Sequence, residues 1–135
     1  MALVAWNDGY SVKVRQFDEQ HKKIMDIVNK LHDTLRDNKG PMIRADVLTT
    51  LAAYTQAHFS DEERLMRHHY FPGFVPHKKA HDQLVTQVRN FQQQAETDGD
   101  AITQGVMFFL RDWLVQHIRE EDAKYASFMN ARGIA

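Results

Sequence analysis

The stretch "HKKAH" occupies residues 77–81, opened by Pro76 and followed by "DQLVTQVRNF" at 82–91. Proline favours the first turn of a helix, and Leu84, Val88 and Phe91 then recur at helical spacing. His77 and His81 lie on that same face. An i,i+4 histidine pair sets two rings roughly 6 Å apart, a distance one metal ion can span. Either the pair decorates an ordinary helix or this helix is one wall of a ligand cage. The rest of the chain decides.

Outward from this stretch, Gly, Pro, Asp and Asn cluster at "DNKGP" (37–41), "FPGFVP" (71–76) and "TDGD" (97–100). These breaks divide the chain into segments of helical length. The spacing predicts helices at about 18–38, 42–69, 76–96 and 101–119, with a short terminal helix at about 122–132. Ile24, Val28, Leu31 and Leu35 form the stripe of the first, which Gly40-Pro41 should stop. Val47, Leu48, Leu51, Tyr54, Phe59, Leu65 and Met66 mark the second. The fourth carries Ile102, Val106, Phe109, Leu110 and Trp113, with Asp100 suited to cap it. In residues 1–17, Val12 and Val14 alternate with Lys13 and Arg15, a strand pattern with no second strand to pair. This part reads as an extended arm, with Trp6, Tyr10 and Phe17 laid over the helices. The expected fold is all-α: an up-down-up-down four-helix bundle in one domain, 1–135, with an extended N-terminal arm and a short C-terminal helix.

The 135 residues suffice for one hydrophobic core. Seventeen Lys and Arg against eighteen Asp and Glu leave a net charge of -1, without the basic excess of a nucleic-acid binder. The absence of cysteine removes disulfides, thiolate metal sites and iron–sulfur clusters. No apolar run is long enough to span a bilayer, and "MALVAWNDGY" has no signal-peptide pattern, so a cytoplasmic protein without membrane insertion is expected.

Eight histidines are many for this length, and their positions are ordered. His21 precedes Ile24 by three and Val28 by seven. His58 follows Leu51 by seven, and Glu62 follows His58 by four. His117 follows Trp113 by four and Leu110 by seven. Every long helix thus points an imidazole at the interior. A single buried histidine is usually a satisfied core residue, but five with a carboxylate among them is costly without a shared cation. Five imidazoles exceed the needs of one tetrahedral zinc, and imidazole also suits iron, copper and nickel. Two octahedral ions sharing carboxylates fit the donor count.

The ordered set His21, "HFSDE" (58–62), "HKKAH" (77–81) and "HIREED" (117–122) resembles the ligand signature of the hemerythrin family. The opening "W…FDEQH" and "WLVQH" are similar to its bacterial branch. The resemblance covers essentially the whole chain and implies a non-haem centre of two iron ions. One iron would take His77, His81 and His117, the other His21 and His58. Glu62 and Asp122 would bridge them, with an oxo or hydroxo ion as third bridge. The iron with five ligands leaves a position for dioxygen, and Leu114 matches the family's apolar gate over it. Phe59, Trp113 and Ile118 are further candidate wall residues.

The resemblance implies reversible dioxygen binding for storage, delivery or buffering, not an enzyme. The alternatives are sensing of oxygen, nitric oxide or redox state, and a di-iron oxidase or peroxidase. Oxidase sites of the ferritin type use Glu-x-x-His motifs, which this sequence lacks. A monomer is expected, leaving any signalling or oxygen-consuming partner protein to act in trans. His32, His68 and His69 fall outside the matched set and read as non-ligands, with Asp18 as an N-cap or a partner for His21. The run "DEERLMRHH" (61–69) reads as mostly a solvated face apart from Glu62. One conflict remains. Five residues separate His117 from Asp122, which in a regular α-helix sets them about 140° apart, and Glu121 would face the metal instead. A wider π-type turn or a break between 117 and 123 is required.

Overall fold

Breaks in the hydrophobic pattern become helix ends in the computed structural model, which describes residues 2–98 and 100–135. Met1 of the expected arm and Gly99 of the "TDGD" break lie outside the described residues. The long helices are α1 (Arg15–Arg36), α2 (Pro41–His68), α3 (Phe74–Thr97) and α4 (Gln104–Gln116), with a shorter α5 (Ala123–Asn130). Between α1 and α2, Asn38 (φ 51°) and Gly40 (φ 146°) take positive φ, and Pro41 opens the next helix, where its missing N–H costs no hydrogen bond. Consecutive helices pack against one another from α1 to α3, and α4 returns to α1, closing a four-helix bundle.

Several local expectations are corrected. α1 begins at Arg15, not near residue 18, and its N-cap is Val14. The Asp18 carboxylate accepts from Ser11 Oγ at 2.6 Å and Val12 N at 2.9 Å. It ties the arm to the first turn instead of capping the helix or meeting His21. Phe17 therefore sits inside α1, not on the arm. α4 begins at Gln104, capped by Thr103, whose hydroxyl accepts from Val106 N; Asp100 instead accepts from Arg44 at 3.4 Å. The arm is not simply extended: Asp8–Tyr10 form one 3-10 turn, with Tyr10, Val12 and Val14 buried. Asn29 holds it by bonding both the N–H and the carbonyl of Val4, at 3.0 and 2.7 Å.

α4 and α5 form one rod joined by a π-helical turn, His117–Asp122. The core divides around that level. A larger apolar cluster built on Leu31, Leu48, Met107 and Leu110 fills one end of the bundle. A smaller one, with Phe17, Met66, Tyr125 and Met129, fills the other. Buried polar side chains lie between them.

Candidate metal centre

The π turn accommodates the five-residue spacing. A sixth residue in the turn brings Asp122 round to the face of His117, and both are buried. Glu121 points away and pairs with Lys124 Nζ at 3.2 Å.

All seven candidate ligand residues converge at this level. His77, His81, His117 and Asp122 present donor atoms within 4.8 Å of one another, and so do His21, His58 and Glu62. The two groups share carboxylates. Asp122 Oδ1 lies 3.0 Å from His77 Nε2 and 3.1 Å from His117 Nε2, while Oδ2 lies 3.2 Å from His21 Nε2. Glu62 Oε1 lies 3.0 Å from His58 Nε2 and 3.5 Å from His81 Nε2. Each carboxylate therefore faces both groups. None of the seven is more than 5% exposed.

The charge is arranged for a cation. Burial pushes the carboxylates of Glu62 and Asp122 toward protonation. The surrounding imidazoles prevail, His58 and His21 around Glu62 and His117, His21 and His77 around Asp122, and hold both well below the usual carboxylate range. Burial opposes a proton on His21, yet Asp122 and Glu62 push its pKa up to about 10. Burial lowers His81 despite Glu63, and His117 and His77 add to the effect. His21 Nε2, His77 Nε2, Glu62 Oε1 and both Asp122 oxygens are buried without hydrogen-bond partners. Each such orphan costs about 1–3 kcal/mol. Cations placed between the two groups would satisfy all of them, so the donor set fits a metal centre.

Three outer residues escaped sequence reasoning. Glu63 Oε2 accepts from His81 Nδ1 at 2.8 Å, which fixes the tautomer that points the Nε2 lone pair at the centre. Glu63 is buried, a correction to the reading of its run as mostly solvated apart from Glu62. Gln20 Oε1 accepts from His58 Nδ1 at 2.5 Å, and its amide donates to Asp61 at 2.9 Å. Tyr125 donates its hydroxyl to Glu62 Oε2. Burial and the Glu62 charge push that hydroxyl well above its ordinary pKa, so it stays a donor. Adjacency to His21 and Glu62 is the only sequence signal for Gln20 and Glu63. Glu63→Ala is expected to weaken metal affinity about 10–100-fold, the usual cost of losing such a partner, as read by chelator competition.

Beside the donors lies a cavity of ≈ 20 Å³, counted as space open to the centres of water-sized molecules. That is about one small molecule's worth. Its walls are mostly apolar and include Phe59, Trp113, Leu114 and Ile118. Phe59 stacks on His81 (centroids 3.7 Å) and Trp113 on His117 (4.4 Å), so the aromatic walls also hold the ring planes. The remaining histidines lie elsewhere: His32 meets Gln104 at 3.2 Å, and His68 and His69 end α2.

Fold and site together define a class: an all-α bundle with a buried histidine-and-carboxylate metal centre opening onto an apolar cavity. The model of the hemerythrin HHE cation-binding domain matches residues 12–128, and the chain belongs to the hemerythrin family. It is 36% identical to a bacteriohemerythrin of Methylococcus capsulatus, over 97% of this chain and all of that one. It is 33% identical to a myohemerythrin of Sipunculus nudus, over 89% of this chain and 88% of that one. A crystal structure of wild-type hemerythrin superposes with a TM-score of 0.88 at 35% identity, covering 93% of this chain and 97% of that one. Family and donor set support iron, bound without haem. Among the described residues no helix is long and apolar enough to cross a membrane.

Proposed function

We propose that the chain binds dioxygen reversibly at two irons. His77, His81 and His117 would hold one iron, His21 and His58 the other, with Glu62 and Asp122 spanning both. The observation that carries this reading is the pair of carboxylates facing two convergent donor groups, beside an apolar cavity sized for a diatomic molecule. Irons held by these residues would supply the two electrons that reversible dioxygen binding requires.

The chain's own residues set the rest. Bound to metal, five imidazoles would each be neutral, and against two carboxylates they would leave little negative charge on the centre, which disfavours the high-valent states an oxidase needs. Glu63 and Gln20 orient two of the rings, and Tyr125 steadies Glu62. Leu114, one turn before His117 and 7% exposed, closes the cavity with apolar surface and excludes water. Elemental analysis should find two irons per chain; one metal, or zinc, would contradict the reading.

Leu114→Ala is expected to admit water and accelerate oxidation of the reduced protein several-fold or more. It should also cost about 2–5 kcal/mol of stability, as other buried leucine truncations do. Autoxidation no faster than in the parent would remove Leu114 from that role.

A further inference from the structure

The cavity beside the metal centre is walled off from solvent unevenly. Leu84 and Trp113 line both this cavity and a solvent-facing groove between α3 and α4, whose outer lip includes Gln83, Gln87 and Phe109. These two side chains are the lining that the inner and outer spaces have in common. Along the neighbouring seam Thr55 and Val88 likewise line both the cavity and an outer groove between α2 and α3. Two seams, each with side chains common to an inner and an outer space, therefore compete as the way in.

Their construction differs. Among the described residues α2 and α3 make extensive backbone contact, whereas α3 and α4 do not, so side chains alone fill the second seam. Thr55 and Val88, buried as Leu84 is, are β-branched, with restricted χ1 freedom on a helix. Leu84 is unbranched at Cβ and has more than one helical rotamer. Trp113 is partly exposed but cannot swing freely. It stacks on His117 (4.4 Å, 12°) and leans on Phe59 at 6.0 Å.

We infer that the seam between α3 and α4 is the route by which a small uncharged gas enters and leaves the metal centre, with Leu84 as the moving leaf and Trp113 as the fixed post. Rotation of the Leu84 side chain opens the cavity to the groove without disturbing a candidate ligand. Rotation of one side chain on a seam without backbone packing is a smaller and faster motion than the collective one that prises α2 from α3. This inference rests on the reading of the centre as a gas-binding site.

A gate scales the rates of entry and exit together and leaves the equilibrium constant alone. The test uses iron-loaded, reduced chain mixed with dioxygen, and separately with nitric oxide, in a stopped-flow instrument. Gln87→Trp places bulk over the outer groove without entering the inner cavity. It should slow association and dissociation of both gases by the same factor, about five-fold or more, with affinity unchanged within two-fold. Leu84→Ala should speed both. Gln56→Trp, which covers the groove between α2 and α3, should change neither. Slowing by Gln56→Trp but not Gln87→Trp, or equal rates in all variants, would overturn the portal. A parent chain that binds nitric oxide but no dioxygen would overturn the carrier reading while the portal is still read with nitric oxide. A parent that binds neither gas would overturn both.

Discussion

His77→Ala should lose most of its iron and unfold at a markedly lower temperature. His77 lies at the crowded middle of the cluster, its Nε2 3.0 Å from Asp122 Oδ1 and its ring centroid 4.6 Å from His81 and 4.9 Å from His117. Truncation removes one of three imidazoles from a donor group and leaves the buried Asp122 oxygen short of a partner. Breaking such a buried charged contact costs about 3–5 kcal/mol by itself. Metal binding that cross-links the four helices feeds directly into folding free energy, so weaker retention of iron adds to the loss. For a chain of this size each kcal/mol lowers Tm by roughly 4 °C, and a fall of at least about 12 °C is expected by calorimetry. Iron content and melting point equal to the parent's would remove His77 from the centre.

The second large effect separates two neighbouring acids. Asp122→Ala should abolish a stable centre, because both of its oxygens face imidazoles, one toward each donor group. Glu121→Ala should be nearly silent in iron content and change stability by no more than about 0.5 kcal/mol, as surface substitutions do. Glu121 is only partly buried, and its contact with Lys124 is a half-exposed surface pair. An unbroken α-helix through this region would reverse the two outcomes, so the comparison reports the π turn in solution. Loss of iron in Glu121→Ala with retention in Asp122→Ala would contradict the observed geometry.

What the sequence disclosed follows from how each feature is encoded. The bundle and the convergence of His21, His58, Glu62, His77, His81 and His117 follow from helical periodicity, since a residue three, four or seven positions from a core residue shares its face. The π turn was deduced from a conflict: periodicity placed Asp122 off the face where the resemblance required it. The alternation of Val12 and Val14 discloses an extended arm but not the 3-10 turn at Asp8–Tyr10, and both valines are buried against α5 and the start of α1 rather than against another strand. The early start of α1 was hidden because Asp18 serves the arm through Ser11 and Val12, a tertiary bond with no periodic signature. Glu63 and Gln20 were missed for a related reason. Each sits beside a candidate ligand on its helix, but its partner is an imidazole on another helix, 18 and 38 residues away along the chain. No one-dimensional pattern reports that contact.

The central claim is a two-iron centre that takes up dioxygen and gives it back. Its most direct test is an oxygen-equilibrium titration of the reduced protein, followed by optical absorption, with iron determined on the same sample. The account predicts one dioxygen per two irons, colour appearing on exposure to air, and bleaching on removal of oxygen through several cycles. Uptake that does not reverse, with rapid conversion to an oxidised form and release of peroxide or turnover of a substrate, would contradict it.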